Sequence, residues 1–580
     1  MDAKQLFNLW LTDDYFDADT KHELSQIKDD EKEIVERFYK ELEFGTGGLR
    51  GIIGAGTNRM NIYTVRKAAQ GVANYIRSLG KEAMERGIVI SFDSRNKSPE
   101  FALESAKVYT GNGIKTYLFD ELRPVPVLSF AVRYFNTAVG IMVTASHNPK
   151  EYNGYKVYGE DGAQLSLEGS EIVLDEIGKI KEMSSIALME KEEAVEKGLL
   201  KVVGVEIEDA FISEIKKQCI NKELVKEIGK TMKIVYTPLH GTGNKPVRRV
   251  LKEIGFENVI VVKEQEKADP NFSTVKSPNP EDKEALTMAI ELATKEDSDL
   301  VIGTDPDCDR VGIAVRNKSG EFVVFTGNQT GCLLLEYMLS QKKANGSLPA
   351  NGFVAKTIVS SELSRKIASA YNIDVIEVLT GFKFIGEKIK ELDECGDKKY
   401  IFGFEESYGY LAGTHARDKD GVVASMLIAE MAAFYKSKGM TLYDALEELF
   451  AKYGYTIESV TSFTLAGKEG LEKIKFTMDQ LREARHSSLG TSNVSAIRDY
   501  AKGERYDIKS GSTEELTLPE SDVLYYEMED GSWFCVRPSG TEPKIKIYYG
   551  VTGADLENAQ GMLDKLRDNV LSIVKKFLFE

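Results

Sequence analysis

"KIVYTPLHGTGNKPVRRVLKEIGFENVIVV", residues 233–262, carries the fold's grammar in one stretch. An apolar run leads into a Pro- and Gly-punctuated loop, a helix follows, and the second apolar run NVIVV closes the unit. The same rhythm recurs along the chain. GIVISFDS (87–94) reads as a buried strand, and SPEFALESAKVYTGNG as a helix with Pro99 near its start and glycine at its end. AVGIMVT (138–144) is another strand, and DSDLVIGTDPD (297–307) is a strand running into an acidic loop. GFVAKTIVSSELSRKIASAYN and YIFGFEESYGY repeat the pattern. Short βα units of this kind predict parallel, doubly wound sheets. The end of the chain differs: WFCVRPSGTEPKIKIYYGV (533–551) reads as strand, tight loop, strand, with a long helix behind it, an α+β unit. Residues 1–43 read as an amphipathic helical extension with Ile34, Phe38 and Leu42 on one stripe. Domain boundaries are expected near 206, 320 and 450, giving domains 1–205, 206–320, 321–450 and 451–580. There is no close sequence repeat, only the shared βα rhythm.

The bulk numbers narrow the function classes. The chain has 580 residues, 42% of them hydrophobic and 29% charged, with a net charge of −17. That length suits about four domains. The acidity argues against general nucleic-acid or anionic-membrane binding, while local Arg and Lys clusters can still hold a small anion. Five cysteines, Cys219, Cys308, Cys332, Cys395 and Cys535, stand singly with no C-x-x-C pair. This argues against a disulfide framework or zinc ribbon and fits a reducing cytoplasm. The opening MDAKQLFNLWLTDDYFDAD is acidic and does not read as a signal peptide. No apolar run approaches a membrane span.

Four loops carry candidate chemistry. In TASHNP (144–149), Ser146 follows a buried strand, the position where open α/β sheets present groups to ligands. The G-x-S-x-G elbow is absent, which weakens a Ser-His-Asp hydrolase; a capping turn is the plain alternative. In GTDPDCDRVGIAV (303–315), Asp305, Asp307 and Asp309 alternate before Arg310. Three carboxylates so close repel one another unless a cation intervenes, and a hard divalent ion is the natural partner. An EF-hand fails, because its required Gly and Glu positions hold Arg310 and Arg316. In RPSGTEPK (537–544), Arg537, Ser539, Gly540, Thr541 and Lys544 surround a turn able to cradle phosphate. In GFEESYGY (403–410), Glu405, Glu406 and Ser407 suit sugar hydroxyls; adjacent acids on an extended chain make a poor glycosidase pair. EFGTGGLRG (43–51), with Arg50, matches neither Walker A nor G-x-G-x-x-G, and TGFKFIGEKI (380–389) places Thr380, Gly381 and Lys383 at a turn.

In their order along the chain, these stretches resemble the α-D-phosphohexomutase family of phosphoglucomutases and phosphomannomutases. The resemblance covers nearly the whole chain. It implies four domains around a central cleft, three related α/β units and a smaller C-terminal α+β unit. It makes Ser146 the phosphorylated residue and a ligand, with Asp305, Asp307 and Asp309, of one Mg²⁺. It assigns Arg310, Thr380, Gly381, Glu405 and Ser407 to the sugar, and Arg537, Ser539, Gly540, Thr541 and Lys544 to the phosphate that does not react. His147 supports the phosphoserine; Lys156, in YNGYK, and Lys419, in RDKDG, are candidate bases that need a lowered pKa, which Arg50, a further catalytic residue, or the Mg²⁺ would provide. The sugar-binding loop lacks the histidine of the phosphomannomutase type, with Gly409 in its place, and is nearer the glucose type. The implied reaction interconverts glucose 1-phosphate and glucose 6-phosphate through glucose 1,6-bisphosphate, which is also the activator. The alternatives are a mannose or pentose phosphate mutase, or a metal-dependent sugar phosphatase. The implied partner is a phosphorylated hexose, with no nucleic acid and no membrane, for a monomer or homodimer. His22, His240 and His486 read as surface or packing residues, and Trp10 and Trp533 as core or edge residues.

Overall fold

The structure, a computed structural model, describes residues 1–45, 48–465, 467–489, 492–539 and 544–579. It divides into two compact units. One comprises Met1–Gly327, Ile385–Gly403 and Ser407–Thr441; the other comprises Asn328–Phe384, Phe404–Glu406 and Leu442–Glu580.

The first unit holds a seven-stranded sheet of β1 (Phe44–Gly45), β2 (Gly48–Ile52), β3 (Ile88–Phe92), β4 (Thr116–Phe119), β5 (Val139–Val143), β6 (Tyr152–Gly159) and β7 (Leu200–Val203). Their order is β1-β2-β6-β5-β3-β4-β7. The four strands linked by helices pair in parallel. The other pairs, β5–β6, β6–β2 and β2–β1, are antiparallel, so the expected parallel sheet is mixed. The reason is loop length. The chain returns from β5 to β6 through residues 144–151 alone, whereas a parallel return needs a crossover of about a dozen residues or more. A second sheet, built from β8 (Lys233–Thr237), β9 (Asn258–Val261), β10 (Leu300–Thr304), β11 (Val311–Arg316) and β12 (Phe322–Val324), repeats the device. Here β8, β9 and β10 are parallel, and the short 305–310 loop turns β10 back into antiparallel β11.

The core of the first sheet is the expected apolar set. Ile88, Ile90, Val139, Ile141 and Val143 pack against Val65, Val72 and Phe101, all buried. At the N-terminus, three short helices replace the single stripe: Ala3–Thr12, Ala18–Gln26 and Glu31–Phe38, each opened by an aspartate cap. Ile34 and Phe38 are buried with Phe7, Trp10 and Phe16, and Trp10 stacks on Phe16 at 4.3 Å. Leu42 lies beyond the last of these helices and packs instead against the first sheet's core.

In the second unit, β13 (Gly352–Thr357) and β14 (Asp374–Val378) pair in parallel. An eight-stranded sheet follows, running from Tyr455–Thr464 to Lys544–Gly553, and its strand pairs are antiparallel. The strand, loop, strand reading of 533–551 appears as Trp533–Pro538 and Lys544–Gly553, followed by the helix Leu556–Phe579. Ile358, Val359 and Leu379 join Tyr525, Trp533 and Tyr548 in a core shared by these two parts of the unit. Lys356, buried, binds Glu362 at 2.7 Å and Glu377 at 3.1 Å, and Glu377 also receives Arg498 at 3.0 Å.

A third strand pair, β15 (Lys399–Glu405) and β16 (Gly409–Ala412), again turns through a short loop, 406–408. Each of the three reversing loops holds one non-glycine residue in the left-handed region: Ser146 at φ 53°, Cys308 at φ 53° and Tyr408 at φ 63°. The three short reversing loops, 144–151, 305–310 and 406–408, thus share one backbone device. Among the described residues, no helix is long and apolar enough to cross a membrane.

Candidate active site

The loop after β5 holds Ser146 tightly. Its φ of 53° costs about 1 kcal/mol for a residue with a Cβ, so neighbours must fix it. The Ser146 N–H donates to Thr144 Oγ1 at 2.8 Å, and Thr144 Oγ1 donates to Asp93 at 2.7 Å. Asp93 stands directly after β3. It also accepts from Ser98 Oγ at 2.7 Å and pairs with Arg95 at 3.3 Å. Arg95 is 1% exposed and binds the loop's carbonyls: Ser146 and Asn148 through Nη2, and Pro149 and Tyr152 through Nη1 at 2.9 and 3.1 Å. Gly154 of β6 makes this approach possible, since a Cβ there would sit 2.4 Å from the Thr144 carbonyl oxygen.

The loop after β10 meets that serine. Ser146 Oγ donates to Asp305 Oδ2 at 2.9 Å. Asp305 Oδ1 accepts the backbone N–H groups of Asp309 and Arg310 at 3.1 and 3.0 Å. One ligand atom each from Asp305, Asp307 and Asp309 lies within 4.8 Å of the others, and all three residues are buried. Asp307 Oδ1 and Asp309 Oδ1 are covered from solvent with no hydrogen-bond partner among the described residues. Buried carboxylate oxygens are rarely left orphaned, and this donor set suits a hard divalent cation. Burial, then the charges of Asp307 and Asp309, push Asp305 well above the usual carboxylate range. Burial would do the same to Asp309, but Lys419, Lys156 and Arg310 outweigh it and hold that carboxyl low.

Both lysines singled out from the sequence reach this cluster. Lys156 Nζ lies 2.9 Å from Asp307 and 3.6 Å from Asp309. Lys419 Nζ lies 3.3 Å from Asp309 and 3.1 Å from Asp418. The expected lowering of Lys156 is reversed: burial would lower it, but Asp307 and Asp309 hold its ammonium above the ordinary value. His147 Nδ1 is 3.2 Å from Ser146 Oγ, and burial, with Arg310 and Arg50 nearby, keeps its imidazole neutral well below the usual pH. Arg50 donates to Asn148 Oδ1 at 2.9 Å, and Arg310 pairs with Glu281. Ser146, His147, Lys156, Arg50, Lys419, Arg310 and the three aspartates are therefore brought together in the first unit; Ser407, partly buried, belongs to the same unit.

The second unit carries the remaining expected residues. Glu405 is buried, and Thr380 and Gly381 precede the helix Phe382–Glu394, with Gly381 at φ 120°. Arg537 and Lys546 are direct neighbours across paired strands, and the Ser539 N–H donates to the Lys544 carbonyl at 2.7 Å. Gly540 and Thr541 lie outside the described residues. Burial and the neighbouring Glu405 push Glu406 up, with Lys546 and Arg537 opposing them. Glu406 also accepts from Thr357 Oγ1 at 3.1 Å. His240, buried, bonds Lys267 O at 3.0 Å and Thr274 Oγ1 at 2.8 Å, a packing role.

Sequence reasoning missed Asp93, Arg95, Thr144, Asp418 and Tyr158. One signal was available for Asp93: it stands immediately past an apolar strand, as Asp305 does.

Four family models match the chain in order. The phosphoglucomutase/phosphomannomutase alpha/beta/alpha domains I, II and III match residues 41–184, 209–320 and 326–453, and the C-terminal domain matches 481–566. A phosphoglucomutase from Staphylococcus haemolyticus is 40% identical over 521 residues, spanning 90% of this chain and 92% of that protein. One from Staphylococcus aureus (strain MRSA252) is 40% identical over 543 residues, spanning 93% and 95%. Among solved structures, the open form of the Paramecium phosphoprotein pp63/parafusin, a phosphoglucomutase, superposes with a TM-score of 0.68 at 19% identity. It covers 93% of this chain and 96% of that one. A phosphoglucomutase/phosphomannomutase family protein from Burkholderia thailandensis gives 0.64 at 17% identity, covering 92% and 97%. These two likenesses establish the fold.

Proposed function

The chain belongs to the phosphoglucomutase/phosphomannomutase family, and on that premise we propose that it interconverts α-D-glucose 1-phosphate and glucose 6-phosphate by way of phospho-Ser146. One observation carries the reading: the Ser146 hydroxyl donates to Asp305 inside a buried three-aspartate cluster with two orphaned carboxylate oxygens. A serine placed so is suited to hold a phosphoryl group beside a divalent ion. Asp305, Asp307 and Asp309, together with the phosphoryl oxygens on Ser146, would hold Mg²⁺. When bound, that ion draws negative charge from the transferring group, which is the main requirement of phosphoryl transfer.

The chain's own residues do the rest. Thr144, Asp93 and Arg95 fix the serine in its left-handed conformation, so the phosphoryl group is presented in one direction. His147 and Arg50 stand by Ser146 and its loop, where neutral imidazole and guanidinium N–H groups can steady phosphoryl oxygens. A free sugar hydroxyl attacks phosphorus as the bond to Ser146 Oγ breaks. Its proton goes to the candidate base Lys419 rather than to Lys156, whose ammonium Asp307 and Asp309 hold charged. The product is a hexose 1,6-bisphosphate, which turns over and returns its other phosphoryl group to Ser146. Arg310, Glu405 and Ser407, with Thr380 and Gly381, take the sugar in this scheme; Arg537, Ser539, Gly540, Thr541 and Lys544 take the phosphate at rest.

The test is a coupled assay on glucose, mannose and ribose 1-phosphates with a trace of glucose 1,6-bisphosphate, run on the parent and on Ser146→Ala. Preference for glucose 1-phosphate with loss of turnover in Ser146→Ala supports the proposal. Free phosphate released in step with substrate loss makes the protein a phosphatase and refutes it. A preference for mannose or ribose 1-phosphate refutes the glucose assignment.

A further inference from the structure

We propose that Asp418 is a positioning residue for Lys419, and that Tyr158 and Gln164 hold Asp418 in that role. The proposal rests on the phosphoryl-transfer reading above. Both lysines approach the aspartate cluster, but their surroundings differ. Lys156 Nζ is placed by Asp307 and Asp309, which belong to the candidate cation site. Lys419 Nζ spans Asp309 Oδ2 at 3.3 Å and Asp418 Oδ1 at 3.1 Å. A carboxylate that binds a divalent ion gives up charge to it, so its hold on an ammonium weakens. Asp418 stands outside the cluster, and its hold on Lys419 is kept when the cluster is occupied.

Asp418 is itself over-determined. It is 1% exposed. Oδ1 accepts the Lys419 backbone N–H at 2.8 Å as well as Nζ. Oδ2 accepts the Tyr158 hydroxyl at 2.9 Å and Gln164 Nε2 at 3.3 Å. Tyr158 lies on β6 two residues beyond Lys156, so the two side chains leave the same face of one strand. A backbone bridge ties Tyr158 to Gln164. Burial, reinforced by Asp418, keeps the Tyr158 hydroxyl protonated and therefore a donor. One rigid strand thus sets both lysines, one directly and one through Asp418. Partners that orient an active group in this way are commonly worth about 10–100-fold in activity.

The experiment compares Asp418→Asn, Tyr158→Phe, Lys419→Met and the double variant Asp418→Asn/Lys419→Met in the full chain. It measures kcat and KM for glucose 1-phosphate, with Mn²⁺ affinity by calorimetry. Asp418→Asn is expected to lower kcat about 10–100-fold, with KM and Mn²⁺ affinity within about twofold of the parent. Tyr158→Phe is expected to lower kcat about 5-fold, and the double variant to be no slower than Lys419→Met. Parental kcat in folded Asp418→Asn overturns the proposal. So does a double variant slowed by the product of the two single effects, or Mn²⁺ affinity falling in step with kcat, either of which marks a merely structural ion pair. If Asp418→Asn does not fold, Tyr158→Phe, which deletes one hydroxyl, decides by the same criteria. A parent with no mutase turnover refutes the underlying reading; an active parent with an indifferent Asp418 refutes this proposal alone.

Discussion

Arg95→Lys tests whether the serine loop is held from beneath. Arg95 is 1% exposed and binds four carbonyls, those of Ser146, Asn148, Pro149 and Tyr152, besides pairing with Asp93. Lysine keeps the charge but offers a single nitrogen with three donors and no fork. Serving Asp93 and two carbonyls at most, it drops two of the four; the Pro149 carbonyl keeps the Tyr152 N–H, so at least one is left unpaired. At about 1–3 kcal/mol for that group, the loop loses at least the roughly 1 kcal/mol that the left-handed Ser146 conformation needs. The serine then relaxes, and a shift of about 1 Å at a reacting group lowers the rate about 100-fold. The assay is single-turnover transfer of labelled phosphoryl from phospho-Ser146 to glucose 1-phosphate, with circular dichroism to confirm folding. The expected result is a folded protein whose transfer rate falls about 100-fold while KM changes little. A folded Arg95→Lys protein that transfers at the parental rate refutes the reasoning.

Three further outcomes follow from the same geometry. Asp309→Asn removes one of three buried carboxylates and should weaken Mn²⁺ binding by about two orders of magnitude, measured by calorimetry; unchanged affinity would remove the cluster as a cation site. Trp10→Ala empties the aromatic cluster of the N-terminal helices and should cost about 3–5 kcal/mol, read as a lower melting temperature; a loss under about 1 kcal/mol would show that those helices are not a packed part of the fold. Glu458 is half-buried with its covered Oε1 unpartnered, and burial pushes its carboxyl up to about 7. Because the unfolded carboxyl ionises near 4.5, the parent loses stability as pH rises from there to about 7, so Glu458→Gln should gain about 2 kcal/mol on it between about pH 5.5 and 8, and a pH-independent difference in urea unfolding contradicts this.

What could be read from the sequence was local. The βα rhythm was legible because apolar runs and Gly and Pro breaks are properties of neighbouring residues. The aspartate cluster was legible because three carboxylates at alternate positions are improbable without a cation. The antiparallel edges were not recognised, although the short stretch between Val143 and Tyr152 imposes one of them. The supports of the site were hidden for a different reason. Arg95 finds its acceptors more than fifty residues away, at Ser146 and Asn148, and Asp418 meets Tyr158 and Gln164 across some 250. Read in place, each is a charged residue in a polar loop. Leu42 fell off its stripe because the helix that would have carried it ends at Phe38.

The most direct measurement follows labelled phosphate placed on Ser146 when unlabelled glucose 1-phosphate and Mg²⁺ are added. The account predicts that the label leaves the protein for glucose 1,6-bisphosphate, appears in glucose 6-phosphate, and is never incorporated by Ser146→Ala. Label that stays on the protein through many turnovers, or that emerges as inorganic phosphate in step with substrate loss, contradicts it.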